Sequence, residues 1–257
     1  MTIEQFGCVT LTEKDAVALL VFSRPPNNYF DAEMLGDIAA ALETVDERPH
    51  LRANVLASEG KAFCAGALLN SDDDDPSSIY SAIYKEALRI YRVRKPIVTA
   101  IQGPAIGGGL GLALASDFRI AAKEARFGAN FVKIGTHPGF GLTHILPRIV
   151  GMQTASLLFL TGRRIKGDEA VSLGLADMLV SKDQVRDSAL ALAAEIAEGA
   201  PLAVQETRAT LRTGLIDLVT SQLETELENQ RRLAATNDFK EGLCAVQERR
   251  SGQWSNS

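Results

Sequence analysis

The sequence predicts an α/β fold. Two observations carry that expectation: short apolar runs of strand length recur along the chain, and segments with helical spacing separate them. Composition permits it. Of 257 residues, 46% are hydrophobic and 23% charged, which is ordinary for a globular chain and excludes a disordered or fibrous one.

The first run, residues 16–22 (AVALLVF), reads as a buried strand. Residues 31–46 read as a helix. Asp31 can cap its start, and Leu35, Ile38, Leu42 and Val45 follow at three- and four-residue spacing on one face. Residues 53–57 and 97–101 are further strand-like runs, and 118–122 is a weaker one. Residues 71–78 (SDDDDPSS) carry four adjacent carboxylates that repel one another and stay solvated, so a mobile surface loop is expected there. A helix over 79–94 comes next, with Tyr80, Tyr84 and Tyr91 on roughly one face. Aromatics at that spacing usually pack, but a buried hydroxyl needs a partner. From Pro201 onward the chain reads as helix-rich, with Leu223, Leu227 and Leu233 as a stripe and Glu228 four residues before Arg232. The expected division is a core over 1–200 and a helical segment over 201–257.

Charge and cysteine usage limit the partners. Lys plus Arg total 27 and Asp plus Glu total 32, so a net charge of −5 leaves no bulk electrostatic footprint for nucleic acid. Cys8, Cys64 and Cys244 stand far apart, with neither metal-type spacing nor an even-numbered disulfide framework, which suits a reducing compartment. Residues 1–10 lack the charged-then-apolar pattern of a signal peptide. The most apolar window, 96–115, is broken by Gln102, Pro104 and several glycines and does not read as a membrane span. A cytoplasmic protein without membrane or metal is expected.

Motifs for phosphate-loop, serine-hydrolase and zinc-protease chemistry are absent. The glycines from Gly107 to Gly111 also miss the dinucleotide fingerprint at its last glycine. Two segments are more informative. Residues 61–68 (KAFCAGAL) follow one predicted strand, and 102–113 (QGPAIGGGLGLA) follow another and lead into a small-residue helix. Free N–H groups at a helix start favour negative charge. Two such donors from separate loops can hold a developing oxyanion. Either segment alone fits a purely structural glycine turn.

Together they resemble the crotonase superfamily, which includes the enoyl-CoA hydratases and isomerases. The resemblance covers almost the whole chain: RPPNN at 24–28, FCAGA at 63–67, GGG at 107–109, SDFRIA at 116–121 and ARFG at 125–128. It continues through GTHPG at 135–139, LTG at 160–162, AVSLGL at 170–175, KEG at 240–242 and ERR at 248–250. It implies a spiral of ββα units with a helical C-terminal segment that mediates trimers, paired in some members into hexamers. The implied ligand is an acyl-CoA thioester, with no separate cofactor. Its thioester oxygen would sit between the amides of Ala67 and Gly108. Residues 67–70, including Leu68, Leu69 and Asn70, match the region that lines the CoA, and Arg249 matches a basic position near its phosphates. Leu68 departs from the family, which usually carries Asp there.

The acid–base positions depart further. The two glutamates of hydratases fall at Gly111 and Phe131, and the aspartate of dienoyl isomerases and chlorobenzoyl-CoA dehalogenases falls at about Gly139. None is a carboxylate here. Such a group typically contributes about 10²–10⁴ in rate. His137, in the turn that bounds the acyl pocket in relatives, is the expected replacement, with His144, Tyr80 and Tyr84 behind it; a histidine bonded only to backbone or solvent is the alternative. Cys64 is routine at its position and is not expected to be a nucleophile. Phe131 and Phe140 are expected to close the pocket with apolar surface. Two functions stay open: an enzyme that stabilises an acyl-CoA enolate without the two glutamates, and a non-catalytic acyl-CoA-binding module.

Overall fold

The four apolar runs that the sequence marks as strands lie side by side at the middle of one sheet. A computed structural model describes residues 2–68 and 76–257. Its strands are β1 (Ile3–Phe6), β2 (Val9–Lys14), β3 (Val17–Phe22), β4 (Ala53–Ser58), β5 (Ile97–Ile101), β6 (Pro104–Ile106), β7 (Phe118–Ala122), β8 (Arg126–Gly128), β9 (Arg164–Lys166) and β10 (Met178–Val180). Its helices are α1 (Ala32–Asp46), α2 (Pro76–Arg92), α3 (Gly108–Leu114), α4 (Leu142–Val150), α5 (Met152–Thr161), α6 (Gly167–Ser172), α7 (Val185–Glu198), α8 (Pro201–Leu211), α9 (Leu215–Ala234) and α10 (Asn237–Gln247).

The larger sheet has the order β1-β2-β3-β4-β5-β7-β10. β1, β2 and β3 pair antiparallel; from β3 to β10 every pairing is parallel. Every residue of β4 and β5 is buried, as expected of parallel strands covered on both faces. α7 lies across β3, β4, β5 and β7, and its buried Ala189, Ala193 and Ala197 let it approach closely. A second sheet, β6-β8-β9, has strands of only three residues.

Asp31 caps α1 as expected, accepting a hydrogen bond from Met34 N at 2.9 Å. Leu35, Ile38, Leu42 and Val45 are all buried. The acidic run expected as a loop lies outside the described residues except for its last three, which start α2. The stripe in α9 is phased differently from the expectation. Its buried positions are Leu215, Val219, Leu223, Glu226 and Gln230, with Leu227 and Leu233 only half-buried. The polar pair goes inside because each finds internal hydrogen-bond partners. Among the described residues Glu228 and Arg232 form no ion pair; Arg232 donates to Asn229 instead.

The C-terminal helices are fastened to the core by charge as well as by packing. Asp117, just before β7, receives both Arg208 (2.9 Å) and Arg212 (3.2 Å), and Arg208 also donates to the Val93 carbonyl at 2.6 Å. α9 packs along α2. Among the described residues, no helix is long and apolar enough to cross a membrane.

Candidate functional site

Asn28 fixes the first loop of the site. It is buried in a left-handed conformation (φ 54°). Its Nδ2 donates to the carbonyls of Glu59 (2.8 Å), Ala62 (2.9 Å) and Phe63 (3.2 Å), while Oδ1 accepts from Arg24 N (2.7 Å). The turn at 24–28 thereby holds the segment that runs from β4 toward Ala67.

That segment and the one entering α3 lie side by side. Cys64 and Ala105 form a parallel bridge, with Cys64 N donating to Pro104 O and Ile106 N to Cys64 O, both at 3.0 Å. Ala67 and Gly108 follow three residues further along their respective segments, after turns at Gly66 (φ 115°) and Gly107 (φ 57°) that favour glycine. Phe30 bridges to Ala67 by donating to Gly66 O (3.0 Å) and accepting from Leu68 N (2.7 Å). Among the described residues neither the Ala67 nor the Gly108 amide has an acceptor. Gly108 is the first residue of α3, where an amide has no intrahelical partner.

Both residues line one cavity of about 290 Å³. Its wall also contains Leu68, Tyr80, Tyr84, Phe131 and Phe140. Phe140 packs edge-on to Phe30 (5.7 Å, 64°). Leu68 is 43% exposed and stands at the rim. Leu69 and Asn70 lie outside the described residues. Arg249 is exposed and not part of the wall, two residues past Gln247, which is.

The three positions without a carboxylate are occupied by other groups. A side chain on Gly111 would begin 2.6 Å from Phe140 Cβ. One on Gly139 would collide with the Tyr84 hydroxyl and lie 2.7 Å from Gln230 Nε2. At the third, Phe131 presents its own ring to the cavity. No carboxylate lines the cavity among the described residues.

Neither His137 nor His144 lines the cavity. His137 is absent from the wall; its Nδ1 is 2.8 Å from Pro138 O, and its carbonyl accepts from Gln230 Nε2 at 3.0 Å. His144 also stands outside the wall, its basicity lowered by burial and by nearby Arg148. Burial pushes the Cys64 thiol up to about 12, so it is not a thiolate at neutral pH.

Four polar contributors were not legible beforehand: Asn130, Thr136, Gln230 and Glu226. The first three line the cavity. Gln230 Oε1 accepts from the Tyr84 hydroxyl at 2.5 Å. Glu226, one turn earlier in α9 and fully buried, sits behind the wall and receives Gly141 N (2.7 Å), Thr143 N (2.9 Å) and the Thr143 hydroxyl (2.5 Å), so it caps α4 from another element. Burial pushes its carboxyl up to about 7, outweighing the opposing effect of those three donors. The available signal was a pair of polar residues four apart, continuing the buried spacing of Leu215, Val219 and Leu223.

The family model for enoyl-CoA hydratase/isomerase matches residues 12–257. The chain belongs to that family. Its sequence is 31% identical over 252 residues to a crotonyl-CoA hydratase of Syntrophomonas wolfei, covering 96% of this chain and 97% of that one. It is 30% identical over 248 residues to the 1,2-epoxyphenylacetyl-CoA isomerase of Escherichia coli, covering 93% and 95%. The crystal structure of carnitinyl-CoA hydratase from Mycobacterium avium superposes with a TM-score of 0.86 at 30% identity, covering 97% of this chain and 99% of that one. The fold is that of the crotonase superfamily. Since these relatives' names include both hydratases and an isomerase, the family alone does not assign a reaction.

Proposed function

We propose that the chain binds an acyl-CoA thioester in this cavity, with the thioester oxygen accepting from Ala67 N and Gly108 N. In that position the two amides stabilise the negative charge of an enolate. The observation that carries the reading is the pair of amides, unpartnered among the described residues, from two bridged loops in one wall. The family supports the ligand class. We infer further that the protein is not a two-glutamate hydratase. With Gly111, Phe131 and Gly139 at those positions, no carboxylate among the described residues lines the cavity to activate water, and the three free cysteines accord with a cytoplasmic setting.

The test separates holding the carbonyl from turning the substrate over. Acyl-CoA thioesters should raise the melting temperature, because a ligand that binds only the folded state stabilises it. A CoA thioether of equal chain length, which lacks the carbonyl, should bind about tenfold or more weakly. Crotonyl-CoA should keep its conjugated absorbance. Equal affinity of thioester and thioether would remove the oxyanion reading, and rapid hydration would overturn the inference about the missing acids. A second reading, a binding module without catalysis, is favoured by the same absence of carboxylates. Deuterium entry at the acyl α-carbon in D₂O decides between them: exchange marks an enolate-forming enzyme, and no exchange marks the binder.

A further inference from the structure

The cavity has an open side and a closed one. Beside the amide pair, the wall residues Tyr29 and Leu68 are 38% and 43% exposed. Tyr80, Ile83, Tyr84, Gly139, Phe140 and Gln230 are buried. Contacts along the wall connect the two sides. A Cβ on Gly108 would meet the Phe30 ring at 2.5 Å, and Phe30 packs on Phe140. Gly139, next to Phe140, faces Tyr84 and Gln230. A thioester held at Ala67 and Gly108 thus sends its large polar CoA toward the exposed residues and its acyl chain toward the buried ones.

The polar groups of the closed side satisfy one another. The Tyr84 hydroxyl donates to Gln230 Oε1 at 2.5 Å, and the Phe140 amide is within hydrogen-bond reach of its oxygen. Gln230 Nε2 donates to the His137 carbonyl at 3.0 Å, which fixes the orientation of the carboxamide. Tyr80 and Thr136 are within hydrogen-bond reach of each other. One turn back along α9, behind Gln230, Glu226 is fully buried. A hydrocarbon chain gains about fourfold in affinity per buried methylene while it meets apolar wall. To pass Tyr84 and Gln230 it must part a bond that joins α2 to α9 and strand buried polar atoms. Nor can the pair retreat toward Gly139, where a Cβ would already lie 2.7 Å from Gln230 Nε2.

We propose that the Tyr84–Gln230 pair is the end stop of the cavity and sets the longest acyl chain the protein accepts. The inference rests on the acyl-CoA reading above and adds to it the residues that determine length.

The experiment measures Kd for straight-chain saturated acyl-CoA thioesters of two to twelve carbons. Wild-type affinity should climb with length to a limit, then fall about tenfold or more at the next two-carbon step. In Tyr84→Ala and in Gln230→Ala the limit should move outward by two carbons or more. Ile106→Ala removes apolar bulk beside the amide pair instead and should leave the limit where it is. The two end-stop variants lie on different elements, so a folding defect in one, identified by its melting curve, leaves the other to decide. If wild type shows no limit, if the limit stays put in a folded end-stop variant, or if Ile106→Ala moves it as far, the proposal is wrong while the acyl-CoA reading stands. If no chain length binds, both are wrong.

Discussion

At Gly111 two residue-scale effects oppose each other. Glycine inside a helix ordinarily costs about 1 kcal/mol relative to alanine. Here a methyl group at 111 would meet Phe140 Cβ at 2.6 Å and Cγ at 2.7 Å, and overpacking of that kind typically costs about 1–3 kcal/mol. Overpacking should win, so Gly111→Ala should lower the melting temperature. Gly111→Glu should lower it further and should not create hydration activity. In a Phe140→Gly background the penalty of Gly111→Ala should largely disappear, since the clashing ring is gone; equal penalties in both backgrounds would refute the coupling. Glu226 permits a pH prediction. Its folded carboxyl is raised from 4.5 to about 7, so between those values the folded state holds more protons than the unfolded one. Stability from this group is therefore greatest in acid and declines as pH rises toward 7, by about 3 kcal/mol in total. Glu226→Gln, which cannot ionise, should gain stability relative to wild type between pH 5 and pH 7.5. A wild-type-to-variant difference that is flat with pH would show that this carboxyl does not titrate there.

At the scale of elements, the legible parts were those whose signal is local. The runs that became β3, β4, β5 and β7 were visible because burial on both faces demands continuous apolar sequence, and α1 because its cap and stripe lie within one segment. β6, β8 and β9 were not, since three residues are too few to display a period. Ala67 and Gly108 were singled out through resemblance. The polar wall was not, because its bonds join distant residues: Tyr84 and Gln230 are 146 positions apart. The absence of His137 from the wall was not legible for a related reason. Its position in the turn was legible, but the bond from its ring to the neighbouring carbonyl was not. One loop depends on a single side chain. Asn28→Ala would remove three bonds to carbonyls and one to Arg24 N, and should cost about 3 kcal/mol. It should also weaken thioester binding, because the segment leading to Ala67 loses its tie. An unchanged melting temperature would show that the loop is held by other contacts.

Over the whole molecule, the boundary drawn at residue 200 separates two parts of the sequence but not of the site. α9 supplies Gln230 to the wall, and Leu243, Val246 and Gln247 complete it from α10. The segment is anchored at Asp117, where two arginines from α8 and the turn after it share one carboxylate. Asp117→Asn should leave them poorly compensated and cost about 3 kcal/mol. Limited proteolysis should then cut between α7 and α8 faster than in wild type, while a cleavage rate equal to wild type would show that packing alone secures the segment. The expected trimer or hexamer has a separate readout, a solution mass three or six times 27.6 kDa.

Gln230 makes the last quarter of the chain a shareholder in every ligand the cavity admits. Detachment of α9 and departure of the guest are two views of one equilibrium, so an occupied cavity should shield the tail from proteases. A chain ending before α9 would be a container with one side missing, and no repair of its two amide-bearing loops would make it hold its contents.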